Sequence, residues 1–347
     1  MSGALRLGTR RSALALTQSR SVADAVTAAT GRAVELVEVT TFGDTSRAAL
    51  TQIGGTGVFV AALRHALLEG EIDLAVHSLK DLPTSPEPGL VVAAVPPRED
   101  PRDVLVARDG LTLGELPAGS RLGTGAPRRA AQLLALGLGL QVEPVRGNVD
   151  TRLALVHDGK LDGVLLARAG LVRLGRADEA TEVLDPLQVL PAPGQGALAV
   201  ECRSEDPDLV RALAAVDDLD TRAAVTAERA LLAALEAGCT APVGALAEVV
   251  ESLAPDGSPL LELSLRAVVA APDGSRVLRQ SLSGPVDAPA ELGRRLAAVL
   301  LEDGAAELVA EGPVPVRPDS REPVPRDEAT RSAVSTLSED KHPERAS

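Results

Sequence analysis

Aromatic side chains are almost missing from this chain of 347 residues, which has two Phe and neither Trp nor Tyr. Its core must be built from Leu, Val, Ala and Ile, and platforms for stacking nucleic-acid bases are not expected. Cysteine is equally scarce. Cys202 and Cys239 form neither a CxxC pair nor a Cys/His ligand pattern, which argues against a disulfide framework and leaves both as thiols in a reducing compartment. The four histidines, His65, His77, His157 and His342, lack the spacing of a zinc site, so no metal is expected. No apolar run approaches the ~20 residues of a membrane span, and Met1–Thr9 has no signal-like apolar stretch. A cytoplasmic protein is expected, with no membrane contact. Positive charge is also short. The net charge of −14 argues against a general nucleic-acid or acidic-membrane binder, since both need a basic field.

What is present is the composition of a soluble globular protein, 45% apolar and 24% charged, in a chain long enough for two or three domains. Leu5–Thr9 reads as a strand, followed by a helix over Ala13–Thr30 with Ser12 as N-cap and Gly31 as stop. Val34–Thr40 reads as a strand, Gly54–Phe59 as a mobile glycine flap and Val60–Glu69 as a helix. Ile72–Val76 reads as a buried strand running into a polar loop that Pro83 stops. Pro83–Pro101 is rich in proline and acid and reads as a boundary or crossover. Val104–Ala107 is a further strand.

The pattern then repeats. Arg121-Leu122-Gly123-Thr124, Gly125-Ala126-Pro127-Arg128-Arg129 and an Ala/Leu helix echo Arg6-Leu7-Gly8-Thr9-Arg10-Arg11 and its helix. Val142–Val145 before Arg146-Gly147-Asn148 echoes the strand before Phe42-Gly43-Asp44, and Asp158–Leu165 echoes Glu69–Val76. Three matched segments in one order indicate two homologous α/β lobes facing each other across a cleft, a favoured place for ligands. Leu187–Cys202 reads as a hinge around Pro191–Gly196 and a strand returning to the first lobe, and Asp206–Asp220 as a helix leading out. A third unit follows, with a helix over Thr221–Glu236, strands at Leu261–Val269 and Arg276–Ser283, and a helix over Pro289–Leu301. The stretch from Gly312 to Ser347 is poor in apolar residues and expected to be disordered.

Arg10, Arg11, Arg128, Arg129, Arg146, Arg152 and Arg173 fall in or just after loops predicted to face the cleft. Arginine makes two-pronged, charge-assisted bonds to carboxylates and phosphates, so their convergence predicts a polyanion site. Asp81, beside Lys80, is a carboxylate among arginines. An anion in such a field keeps a low pKa and serves better to stabilise positive charge on a substrate than to act as an acid. Gln195 reads as part of a hinge. Cys239 reads either as a small buried hydrophobe or as an exposed thiol for covalent attachment.

Several separated motifs together resemble the porphobilinogen deaminase (hydroxymethylbilane synthase) family. They are Leu5–Ser19 (LRLGTRRSALALTQS), Ala75–Pro83 (AVHSLKDLP), Val145–Arg152 (VRGNVDTR), Ala169–Gly175 (AGLVRLG), Leu190–Arg203 (LPAPGQGALAVECR) and Thr226–Gly244 (TAERALLAALEAGCTAPVG). The resemblance implies an α/β fold of two lobes like those of type 2 periplasmic binding proteins, plus a small α/β C-terminal domain. The implied division is residues 1–98 with 197–216 for the first lobe, 99–196 for the second, 217–311 for the cofactor-attachment domain and 312–347 for the tail. It implies a dipyrromethane cofactor joined by a thioether to Cys239. The implied reaction joins four porphobilinogens onto that cofactor with loss of ammonia, then releases linear hydroxymethylbilane by hydrolysis, as a transferase of tetrapyrrole biosynthesis.

Carried over residue by residue, Asp81 is the catalytic carboxylate, and Ser12, Lys80, Arg128, Arg129, Arg146 and Arg152 hold the cofactor with Asp81. Arg10 and Arg173 hold incoming pyrroles, with Phe59 and Gln195 near the reacting rings. A monomer is implied, with the product passed to uroporphyrinogen-III synthase. The chain departs from the family pattern in three places. Thr56 stands where members commonly carry Lys. Gly125-Ala126-Pro127 stands for Ser-Ser-Leu, removing two hydroxyls, and the tail is long. A non-catalytic anion-binding protein on the same two lobes is the rival reading; it would need neither Asp81 nor a cysteine domain.

Overall fold

The computed structural model describes residues 3–39, 57–237, 241–253 and 257–310, with side chains from residue 60 onward in the segment that opens at 57. Residues 54–56 of the predicted glycine flap, Cys239 and the tail 312–347 lie outside the described residues, as does the side chain of Phe59, whereas Gly57–Phe59, predicted as flap, open the helix Gly57–Leu68.

The first strand, β1 (Leu5–Thr9), runs into α1 (Ala13–Thr30). Ser12 caps that helix in extended geometry, its hydroxyl accepting from the Ala15 N–H at 3.3 Å, and Gly31 closes it at φ 70°, a conformation that suits a residue without Cβ. Parallel to β1 lie β2 (Val34–Glu38) and, after α2 (Gly57–Leu68), β3 (Leu74–Ser78). The strand predicted over Ile72–Val76 therefore sits two residues later. Ile72 is fully buried ahead of it, while His77 and Ser78 belong to the strand. The segment predicted as a crossover contains β4 (Leu90–Ala94). Its flanking prolines concealed it, and they are tolerated because β4 is an edge strand.

The chain then enters a second sheet through β5 (Asp103–Ala107), β6 (Arg121–Thr124), α3 (Pro127–Ala135), β7 (Gln141–Pro144) and α4 (Val149–His157). It continues with β8 (Gly163–Ala167), α5 (Arg168–Arg173) and β9 (Glu182–Val183). As predicted, β10 (Leu198–Arg203) returns to the first sheet, where it lies antiparallel between β3 and β4. The two five-stranded sheets have orders β2-β1-β3-β10-β4 and β7-β6-β8-β5-β9. Their first three strands match in sequence as in space, and in each the fourth strand is antiparallel and comes from the segment joining the lobes.

Two equivalent glycines explain part of the repeat. A Cβ on Gly8 in β1 would meet the Ile72 side chain at 2.3 Å, and one on Gly123 in β6 would meet Leu161 at 2.6 Å. In both lobes a buried aliphatic residue two positions before the third strand packs over the first strand, where only hydrogen leaves room.

After α6 (Pro207–Leu213) comes the third unit: α7 (Leu219–Ala234), β11 (Val243–Leu253), β12 (Pro259–Ala270), β13 (Val277–Pro285), α8 (Pro289–Glu302) and α9 (Ala305–Ala310). The three strands form an antiparallel meander, and β11 was not foreseen because its second half, from Glu248, alternates toward solvent. The cores are aliphatic, as the composition requires; that of the third unit joins Leu231, Leu263, Leu265, Leu296 and Leu300. Among the described residues no helix is long and apolar enough to cross a membrane.

Replacing Gly8 with Ala is expected to cost about 1–3 kcal/mol by overpacking against Ile72 and Leu63. Gly31→Ala, with open space around it, should be milder and act only through its backbone. Urea titration of both variants checks the ranking.

Candidate active site

The loop after β3 is a single 3-10 turn, Leu79–Asp81, with Leu79 buried and the Leu82 N–H returning to the Leu79 carbonyl at 3.2 Å. It therefore presents Lys80 and Asp81 at the carboxyl end of a central strand, where open α/β sheets bind ligands. Asp81 lines a cavity with Arg10, Gln18, His77 and Ser78.

Lys80 reaches the other way. Its ammonium donates to Gln195 Oε1 at 3.3 Å, and Gln195 Nε2 donates to the Pro101 carbonyl and to Asp103 Oδ1, both at 2.7 Å. Gln195 is 1% exposed, so it is more than a hinge residue: it ties the first lobe's turn to the first strand of the second sheet.

Asp103 is the residue that sequence reasoning missed. Fully buried at the start of β5, it accepts from Arg128 Nη2 at 2.8 Å and Arg129 Nη2 at 2.7 Å. A carboxylate leading a buried strand must be partnered, and that was the available signal. Burial by itself raises the Asp103 carboxyl, but the Arg128 and Arg129 charges, with bonds from Arg129 and Gln195, hold it well below the usual carboxylate range.

Arg128 and Arg129 fall in the first turn of α3 because Pro127 opens that helix, and both are buried. Arg128 Nη1 also donates to the Leu190 carbonyl, and Arg129 Nη1 to that of Leu165 at 3.0 Å. Arg152, in the first turn of α4, comes close enough to lower its own pKa through desolvation and the Arg129 charge. Gly125 lets the loop after β6 pass close to the Val145 carbonyl, which a Cβ there would meet at 2.6 Å. The Ala126 N–H is held by Thr124 Oγ1 at 3.2 Å. Lys80 feels the same cluster. Desolvation pushes its ammonium down to about 8, helped by Arg129 and Arg128 and opposed by Asp81 and Asp103.

Other predicted residues are placed differently. Arg173 donates through Nη2 to the Gly196 carbonyl at 2.6 Å, gripping the segment between the lobes. Arg146 is exposed in the loop after β7. Arg11 does not join the cluster: it is exposed and paired with Glu38 at 3.0 Å. Ser12 uses its hydroxyl oxygen in the helix cap. Among the described residues no group of His, Cys, Asp and Glu could hold a metal ion, and Cys202 is buried, its thiol pushed up to about 11 by desolvation.

The site thus joins the buried Asp103, Arg128 and Arg129 to the half-buried Lys80, Asp81 and Arg152, and its cations outnumber its carboxylates. Among the described residues, the buried Nε atoms of Arg128, Arg129 and Arg152 have no hydrogen-bond partner. Such atoms need an acceptor, and carboxylates supply charge and acceptors together.

Residues 5–211 match the family model for porphobilinogen deaminase, dipyrromethane cofactor binding domain, and residues 222–302 match that for porphobilinogen deaminase, C-terminal domain. The porphobilinogen deaminase of Nocardia farcinica is 66% identical over 307 residues, 88% of each chain. The chain belongs to the porphobilinogen deaminase family. Its likeness to the Mycobacterium tuberculosis porphobilinogen deaminase is 61% over 305 residues, covering 88% of this chain and 98% of that one. Porphobilinogen deaminase 1 of Streptomyces coelicolor is 62% identical over 316 residues, 89% of this chain and 98% of the other. Among solved structures, a Salmonella typhimurium periplasmic binding protein of high arginine specificity aligns at TM-score 0.37 and 17% identity, covering 62% of this chain and 91% of that one. Porphobilinogen deaminases are transferases of tetrapyrrole biosynthesis, and the cofactor-binding domain of the family spans both lobes here. The partnerless guanidinium atoms fit a cofactor bearing several carboxylates.

Asp103→Asn is expected to lower stability at pH 7 by about 3 kcal/mol, because two buried guanidiniums lose their shared counter-charge. With a folded-state pKa below the ordinary ~3.9, the wild-type carboxylate contributes fully above that pH and loses its contribution as pH falls beneath it. Denaturant titrations between pH 7 and 3 should therefore show a flatter acid limb in the variant.

Proposed function

We propose that the chain catalyses the complete reaction: stepwise joining of four porphobilinogens to a dipyrromethane primer, ammonia leaving at each step, and final hydrolysis to linear hydroxymethylbilane. The observation that carries this is the buried excess of cationic groups, with three guanidinium Nε atoms awaiting acceptors, beside a cavity that contains Asp81. Each porphobilinogen unit has an acetate and a propionate, which suits that excess. When bound, the cofactor supplies the pyrrole carbon that forms the new carbon–carbon bond.

The roles proposed for the chain's own residues follow from charge and position. Asp81, at the cavity, stabilises positive charge on porphobilinogen as its carbon–nitrogen bond breaks, and on the pyrrole N–H as the new bond forms. The buried Arg128 and Arg129 and the half-buried Lys80 and Arg152 anchor cofactor carboxylates, as do Ser12 and the exposed Arg146 from the loops. Arg10, lining the cavity, and Arg173, at the Gly196 crossing, take the carboxylates of incoming pyrroles, with Phe59 and Gln195 beside them. Cys239 is the proposed thioether attachment. The domain division 1–98 with 197–216, 99–196 and 217–311 is supported by sheet membership, since β1–β4 with β10, β5–β9, and β11–β13 follow it. A cytoplasmic monomer that passes its product to uroporphyrinogen-III synthase completes the reading.

The deciding experiment is intact-mass measurement after incubation with porphobilinogen, with peptide mapping and a Cys239→Ser control. An adduct of two pyrrole units confined to Cys239 supports the proposal, and an unmodified chain overturns it. Asp81→Asn should keep the adduct and lose turnover by about 10²–10³-fold. Because Lys80 titrates at about 8, anchoring of an anionic ligand should weaken as pH rises through that value. Adduct formation by the apoprotein, followed by mass from pH 7 to 9, should slow accordingly, and Lys80→Arg should remove the dependence.

A further inference from the structure

The turn that carries Lys80 and Asp81 is held from outside its own lobe. Arg229 on α7, a helix packed in the core of the third unit, donates from Nη1 to the Leu82 carbonyl at 2.7 Å and the Leu79 carbonyl at 3.3 Å, and from Nη2 to the Pro83 carbonyl at 2.6 Å. Three carbonyls of one turn thus converge on one guanidinium, bracketing Lys80 and Asp81 on both sides.

The neighbouring residue on α7 grips the segment lying on that turn. Glu228, fully buried, accepts from the Gly194 N–H at 2.6 Å, from the Ala247 N–H at 2.9 Å, and from Arg98 Nη1 at 2.6 Å. Arg98 Nε in turn donates to the Gln195 carbonyl at 2.8 Å. Gly194 sits directly on the turn, since a Cβ there would lie 3.3 Å from the Lys80 backbone nitrogen. Helix α7 ends at Ala234, five positions before Cys239 in the sequence.

We propose that Arg229 is a positioning residue of the reaction: from the cofactor-attachment unit, it fixes the backbone frame on which Asp81 is aimed. This rests on the porphobilinogen deaminase reading given above. A guanidinium is suited to the task because its planar fork serves several carbonyls at once, whereas an ammonium is a point charge on a flexible stem. Catalysis is sensitive to such aim, a misplacement of ~1 Å costing about 10²-fold. These bonds of Arg229 go to backbone carbonyls of the turn, so the carboxylate-binding arginines on α3 and α4 should not register its loss.

The test compares wild type, Arg229→Gln and Arg229→Lys by three measurements. In Arg229→Gln, kcat is expected to fall at least tenfold, with KM for porphobilinogen within about threefold and the Cys239 adduct still present by mass; Arg229→Lys should be intermediate. Hydrogen exchange at the Leu82 amide, which closes the turn, should accelerate in the same order while β1 and β3 keep wild-type protection. Unchanged exchange at the turn together with unchanged kcat per folded molecule would overturn the proposal. So would a loss of activity that merely follows the fraction unfolded. If Arg229→Gln does not fold, the Lys variant carries the same comparison. Failure of the wild-type chain to form an adduct would overturn the porphobilinogen deaminase reading, and the exchange measurement would still report whether Arg229 holds the turn.

Discussion

Asp103 and its two guanidiniums form the constraint on which the site depends. A buried carboxylate is costly unless charge and hydrogen bonds both compensate it, and here Arg128, Arg129 and Gln195 do so. Those bonds also fix where the arginines can be. Each spends its Nη atoms on Asp103 and on a backbone carbonyl, leaving Nε buried without a partner among the described residues. The acidic residue thereby creates a cationic surface whose unmet hydrogen-bonding capacity suits a carboxylate-rich ligand. Through Gln195 the same carboxylate is linked to Lys80, so the second lobe's charge cluster and the first lobe's turn at Leu79–Asp81 share one network.

A second buried network stabilises the first lobe behind that turn. Glu201 on β10 accepts from Arg64 at 2.9 Å and contacts His77 Nε2 at 3.1 Å, while Arg64 also pairs with Glu87 at 3.0 Å. Burial raises the Glu201 carboxyl, but His77 and Arg64 hold it below its ordinary value. Because β10 arrives from far along the chain and lies beside β3, this cluster couples the return crossing to the strand that presents Asp81. With Glu228 and Arg98 at the third unit, each junction around the active turn contains an Arg–carboxylate pair. A chain nearly without aromatics lacks large rigid rings to lock such junctions, and planar, bidentate ion pairs fill that structural need.

Much of this was legible in the sequence. The cap at Ser12, the stop at Gly31 and a return strand within Leu187–Cys202 follow local rules; the structure has the cap and the stop, and the strand runs over Leu198–Arg203. The internal repeat was readable because each lobe requires the same strand, turn and helix, including a glycine under Ile72 or Leu161. The buried pair Arg128 and Arg129 was legible as a candidate because the repeat placed Arg-Arg pairs at equivalent positions. That equivalence misled at Arg11, which pairs with Glu38 at the surface, because the second arginine of each pair faces a different neighbour in the two lobes.

The sequence by itself determined the aliphatic core, the duplicated α/β lobes, the arginine pairs at equivalent positions of the repeat and, through its motifs, the family. Each of these depends on residue type and short-range spacing. Only the tertiary structure decided that Asp103 organises the arginines, that Gln195 bridges the lobes and that Arg229 holds the turn that carries Lys80 and Asp81. Those partners lie 25 or 26, 92 or 115, and 146 to 150 positions apart, respectively. Contacts at such separations leave no periodic trace in a single chain. They arise when the crossing strands bring distant carboxylates and guanidiniums into one water-poor volume, where every buried charge must find its counterpart.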